Sequence, residues 1–214
     1  MSELLVFAGI AFLTCVTPGA GVLYTVTSAL RLGRGAFTAA PLGNFCGVVF
    51  MSVVSAAGLG AVVAASPALY GALQAVCALV LAWMGWQNWK RPAVDLASAH
   101  SLKSAVKEHG TGLTAVAGAF VLQITNPMLL VFLFSIMPPF VHPENDYVSR
   151  MALLIAVFSL ICLAVHLVYG FVAAFASQYL KGKKFSWWIN HVSAVVFWFL
   201  AAGVIAMVFE GAPA

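Results

Sequence analysis

Six apolar runs, each about as long as a helix needs to be to cross a lipid core, dominate the chain and leave only short polar segments between them. They lie near residues 4–30, 36–63, 67–89, 112–141, 147–178 and 187–209. A hydrocarbon core about 30 Å thick takes roughly 20 helical residues, and in lipid an open run must satisfy its own backbone N–H and C=O groups, which only a helix does. Only 7% of the residues are charged and 63% are hydrophobic, against about 25% and about 45–50% in an ordinary soluble domain. A soluble globular protein is thereby excluded. The fold class expected is an all-α membrane protein with six transmembrane helices, in contact with the lipid bilayer on all sides.

The polar segments carry the remaining information. Residues 31–35 form a short basic turn, Ser66-Pro67 an uncharged one, residues 90–111 the longest connection, residues 142–150 an acidic loop and residues 180–186 a basic one. Basic residues stay on the cytoplasmic side of a membrane protein. Six spans put Arg31, Arg34, Lys90, Arg91, Lys103, Lys107, Lys181, Lys183 and Lys184 on one side and Arg150 on the other, so both termini are expected outside. Trp83, Trp86 and Trp89 end the third run and Trp187 and Trp188 begin the sixth, an aromatic belt on the same inner face. The net charge of +4 is spread over several loops, and without one basic patch on a soluble fold nucleic acid is not an expected partner.

No soluble domain is left over, and residues 1–214 read as a single transmembrane unit. The connection at residues 90–111 divides it into a first half of about residues 1–89 and a second of about residues 112–214. It is either a solvated linker or a short amphipathic helix through Leu96, Leu102 and Val106. Each half has three spans, so the second enters the membrane in the opposite sense to the first, which is the parity of two inverted three-helix repeats. Met1-Ser2-Glu3-Leu4-Leu5 lacks the positive region of a secretory signal, and the first run is expected to remain as an uncleaved span.

The first and fourth runs are both too long and both interrupted. Residues 4–30 would reach about 40 Å as one helix against a core of about 30 Å, and Thr17-Pro18-Gly19-Ala20-Gly21 sits at their middle. Thr125-Asn126-Pro127 repeats the design in the fourth run. Proline removes a backbone donor and clashes with the preceding turn, so helices 1 and 4 are expected to break there. Broken helices at corresponding places in two halves point to a transporter's binding site. Residues 19–23 and 128–130 would then begin half-helices whose free N–H groups hold a substrate carboxylate with no cationic side chain. Thr17, Pro18, Gly19, Ala20 and Gly21, with Thr125, Asn126 and Pro127, are the expected substrate-binding positions. The alternative is that both prolines only kink helices for packing.

Other chemistry is sparse. Apart from Arg150 at the edge of the fifth run, no Asp, Glu, Lys or Arg falls within the six runs, which disfavours a hard-metal site. His166 lies deep in the fifth run, with a side-chain type able to carry a coupled proton, or simply to bond a neighbouring helix. Cys15, Cys46, Cys77 and Cys162 are far apart in sequence and read as buried small hydrophobes, with no pair expected to come together as a redox centre. Gly43-xxx-Gly47 and Gly58-x-Gly60 permit close helix packing. Asn44, in the span after the first break, flanks the expected site. No nucleophile and base are set out as an enzyme needs, and no cofactor is expected.

The ordered set Thr17-Pro18-Gly19-Ala20-Gly21-Val22-Leu23-Tyr24, Arg34-Gly35, Gly43-xxx-Gly47, Trp83-Met84-Gly85, Asn126-Pro127 and Met137-Pro138-Pro139-Phe140-Val141 resembles the LysE/RhtB family of bacterial amino-acid exporters. The resemblance covers nearly the whole chain. It implies a protein of the bacterial inner membrane that expels amino acids or related metabolites in exchange for protons and often works as a homo-oligomer, with the two Pro motifs on the translocation path. The chain departs from the family pattern at Ala20, where Pro is usual, at Met128, where Lys is frequent, and at Val48, where an acid is frequent. Fewer fixed charges favour a neutral substrate. The other readings left open are a non-transporting membrane scaffold or assembly protein and a channel for small neutral solutes.

Overall fold

In the computed structural model the described residues are 2–65, 67–93, 111–141, 146–176 and 183–210. Among them every regular element is helical: α1 (Ser2–Val16), α2 (Ala20–Leu32), α3 (Ala39–Ala65), α4 (Pro67–Lys90), α5 (Gly112–Ile124), α6 (Pro127–Ile136), a 3-10 turn (Pro138–Phe140), α7 (Tyr147–Ala176) and α8 (Lys184–Glu210). Residues 94–110, with the expected choice between linker and amphipathic helix, lie outside the described residues, as do Ser66 and residues 142–145 and 180–182 of the expected loops.

Apolar length decides which elements suit lipid. Ala39–Leu59, Tyr147–Phe175 and Ser186–Ala206 are each long and apolar enough to cross a membrane, and α1 with α2, bent by 55° at their junction, makes a fourth such unit. The outward faces agree with that environment. Leu5, Leu113 and Phe199 are more than 70% exposed, a pattern that costs nothing when the surroundings are hydrocarbon. The five belt tryptophans also face outward, and the Lys90 ammonium lies 4.2 Å from the Trp86 ring centre.

Two groups of helices share the core. α7 packs on α1, α2 and α3, and α3 packs closely on α5; α4 pairs with α8 and also meets α6. Glycines set the closest approach. A methyl at Gly43 would run into the Val116 carbonyl of α5, and one at Gly47 would lie 2.6 Å from Gln123 Cβ, so this pair of glycines serves α3–α5 packing as their spacing suggested. At the end opposite the tryptophans, Arg150 of α7 donates to the Phe140 carbonyl at 2.8 Å and to Glu3 Oε2 at 2.9 Å. Asp146 caps α7, its Oδ2 accepting the Ser149 N–H at 3.0 Å.

Candidate functional site

Both expected breaks are present, and they differ in what completes them. At the first, Pro18 has no N–H, and Thr17 turns its own N–H back to Leu13 and Thr14. The chain then runs extended to Gly19, whose φ of −115° and ψ of −170° start α2 without a side-chain cap. Carbonyls released by the break are taken up from other helices. The Tyr169 hydroxyl of α7 donates to the Val16 carbonyl at 2.8 Å. Arg91, one residue past α4, donates from Nη1 to the Pro18 carbonyl at 3.0 Å. Thr17 Oγ1 bonds its own helix at Leu13 (2.7 Å) and also Ser193 Oγ of α8.

The donor side of the break stays open. The N–H groups of Ala20, Gly21 and Val22, which begin α2, have no backbone acceptor among the described residues. Beside them lie polar atoms in the same condition. Asn44 of α3 and His166 of α7 are 1% and 4% exposed, and Asn44 Nδ2, Asn44 Oδ1 and His166 Nε2 are all without a hydrogen-bond partner. A Cβ built on Gly21 would lie 3.0 Å from Asn44 Nδ2, 3.3 Å from Asn44 Oδ1 and 3.3 Å from His166 Nε2. Gly21 is therefore glycine because any side chain would fill the place these three atoms face. His166 Nδ1 lies 2.8 Å from the Cys162 carbonyl. A carbonyl only accepts, so Nδ1 carries the hydrogen and Nε2 presents its lone pair to Gly21. A buried polar group without a partner costs about 1–3 kcal/mol, and three such atoms meet at this one glycine.

The second break completes itself. Thr125 is exposed and its hydroxyl bonds back to the Val121 carbonyl at 2.7 Å. Asn126 Oδ1 accepts the Leu129 N–H at 3.4 Å, capping α6 locally. Pro127 begins α6. Among the expected site residues the structure brings together Gly21, Asn44 and His166, with Thr17, Pro18, Gly19 and Ala20 in the same break, and shows Thr125 and Asn126 bonded to their own helices.

Three expectations need correction. The first break carries a cationic side chain after all, because Arg91 reaches it from what reads as loop sequence. Two cysteines do come together: Cys15 of α1 lies beside Cys162 of α7, whose sulfur is 3.4 Å from His166 Nδ1. Cys46 is exposed and not a buried hydrophobe, its face of α3 turned outward. Sequence reasoning also missed Tyr169 and Ser193, which carry no motif; the one signal was for Arg91, the second charge beyond a tryptophan-ended span.

An all-helical chain with apolar outer faces and unpartnered polar atoms inside, at a broken helix, has the build of a membrane protein that handles a polar solute. The family of LysE-type translocators matches residues 5–207, and the chain belongs to that family. Its members are transporters and not enzymes. The chain is 27% identical over 173 residues to a homoserine/homoserine lactone efflux protein of Salmonella typhimurium, covering 80% of this chain and 81% of the relative. It is 25% identical over 175 residues to a leucine efflux protein of Enterobacter sp., covering 81% of each. A Vibrio cholerae membrane protein is 24% identical over 188 residues, 85% of this chain and 86% of the relative. No solved structure matches the chain.

Proposed function

We propose that the protein is a secondary transporter that exports neutral amino acids or related small metabolites across the bacterial inner membrane by proton antiport. The observation that carries this reading is the buried set of Asn44 Nδ2, Asn44 Oδ1 and His166 Nε2 around Gly21, at the open N-terminus of α2. The free amides of residues 20–22 suit a carboxylate, and the Asn44 carboxamide offers both a donor and an acceptor to the rest of the substrate. His166 Nε2 is the atom that takes up and releases the coupled proton. Thr17, Pro18, Gly19 and Ala20 shape the break; Thr125, Asn126 and Pro127 form the second hinge. The relatives' efflux of homoserine and leucine, both neutral amino acids, supports the substrate class.

In this reading α4 and the α5–α6 pair complete six spans, and the helices form two inverted repeats. The packing supports it: the first span of each half meets the second span of the other, α2 and α1 on α7 and α5 on α3, while the third spans α4 and α8 pair together. Both termini lie outside, and the tryptophan-ringed end faces the cytoplasm. The working unit is single- or multi-copy within one bilayer, with no cofactor.

The test is efflux of a preloaded panel that includes leucine, homoserine and lysine, from cells with and without the chain, at two external pH values. The expected result is faster, gradient-sensitive loss of neutral amino acids, abolished in Asn44→Ala with normal membrane insertion. Preferential export of lysine, or identical loss with and without the chain across the panel, sinks the proposal.

A further inference from the structure

Arg91 stands in an electrostatically odd place. Its guanidinium sits on the Pro18 carbonyl at 3.0 Å, two residues from the start of a 13-residue helix whose first amides are open. The N-terminus of a helix carries about half a positive charge, so a cation beside it is repelled unless an anion lies between the two. Among the described residues none does. Glu3 is bound to Arg150 at the far end, and Asp146 caps α7. The Arg91 backbone is nevertheless held in place: its N–H donates to the Asn88 carbonyl at 3.2 Å, and the buried Asn190 of α8 reaches its carbonyl from Nδ2 at 3.5 Å. Burial pushes the Arg91 pKa down, as expected of a cation drawn out of water without a full counter-charge.

The guanidinium has five N–H donors, and the Pro18 carbonyl occupies one of them. The partner that satisfies the rest, together with the amides of residues 20–22, is a planar anion with two acceptor oxygens. The unpartnered, buried Asn44 and His166 atoms facing Gly21 continue the same line of polar groups into the protein. We propose that Arg91 is the side chain that receives the carboxylate of the transported amino acid, releasing the Pro18 carbonyl as it does so. Bidentate pairing with a carboxylate is the geometry arginine favours. This deepens the transport reading and rests on it, with Arg91 at the tryptophan-ringed mouth and Asn44 and His166 further in.

The test separates the charge from the rest of the substrate by using fragments. The purified full chain in lipid nanodiscs is titrated with isovalerate, a carboxylate without an ammonium, and with isoamylamine, an ammonium without a carboxylate. Isovalerate is expected to bind the wild type, to bind Arg91→Gln at least about tenfold more weakly, which corresponds to about 1.4 kcal/mol, and to bind Arg91→Lys at an intermediate strength. Isoamylamine binding stays within about twofold in both variants. Isovalerate that fails to bind the wild type, or binds Arg91→Gln equally well, overturns the proposal. Equal loss of both fragments in Arg91→Gln and Arg91→Lys also overturns it and makes Arg91 a structural latch. Efflux in parallel keeps the two ideas apart: a wild type that binds isovalerate through Arg91 but exports no amino acid removes the transport reading alone.

Discussion

The two broken helices carry nearly the same sequence device and end differently. Thr17-Pro18 and Thr125-Asn126-Pro127 each interrupt an over-long apolar run. The second break is satisfied from within, Thr125 bonding its own helix and Asn126 capping the next. The first has no such cap; its carbonyls are met by Tyr169 and Arg91, and the Thr17 hydroxyl by Ser193. The difference lies in one residue type. Asparagine before proline brings an acceptor that closes the new helix start, whereas Pro18-Gly19 brings none, so the start of α2 stays open. One break closes its own helix start; the other leaves the N–H groups of residues 20–22 without a backbone acceptor among the described residues.

That contrast can be broken experimentally, and the sharpest attempt is at Gly21. Gly21→Ala would push a methyl to 3.0 Å from Asn44 Nδ2, which must then give by a few tenths of an ångström, and since displacing a binding group by about 1 Å costs on the order of a hundredfold in rate, this smaller shift costs about tenfold. Export should fall by that order, while Gly9→Ala, with nothing within 4 Å, leaves it unchanged; equal behaviour of the two variants removes the site from Gly21. Next in size is Tyr169→Phe. It strips the Val16 carbonyl of its donor, and thermal unfolding of the purified protein should show a loss of about 1–3 kcal/mol.

A smaller effect separates the breaks directly. Thr17→Ala deletes a bond to another helix, so it should cost about 1 kcal/mol and slow export several-fold, whereas Thr125→Ala should leave flux within about twofold of wild type, the latter difference being the marginal effect of an exposed hydroxyl. If Thr125→Ala is the more damaging, the second break is part of the path. The least effect is expected at the cap of α7. The side-chain hydrogen bond with Ser149 and the Ser149 N–H hold the Asp146 carboxyl below its usual range. Its folded pKa lies below the unfolded one, so the contribution is present above the unfolded value and is lost as pH falls through the folded one. Asp146→Ala should lower Tm slightly at neutral pH and not at all in strong acid.

Sequence legibility followed range. The runs, their aromatic belt and both breaks depend on neighbours within a turn or two, and proline acts on its own backbone, so these could be read directly. Gly43 and Gly47 were legible as packing residues for the same reason. Asn44 and His166 could be named as candidates because polar groups in apolar runs stand out, but their meeting at Gly21 could not. The partners of the first break lie 73, 153 and 176 residues away in the chain, and no local pattern links them. Arg91 was read as one of nine interfacial cations because charge clustering hides the single member that turns inward. The pairing of Cys15 with Cys162 was missed for the same reason, being a contact between α1 and α7.

The first break is gripped from both groups of helices at once. Tyr169 belongs to the α7 group, whereas Ser193 and Arg91 belong to α8 and the end of α4. A hydrogen bond does not survive stretching much past 3.5 Å, so if the two groups slide apart by even a couple of ångströms, residues 16–18 can follow one or the other and not both. The unwound segment then works as a selector between two allegiances, and whichever group holds it decides where the open end of α2 points.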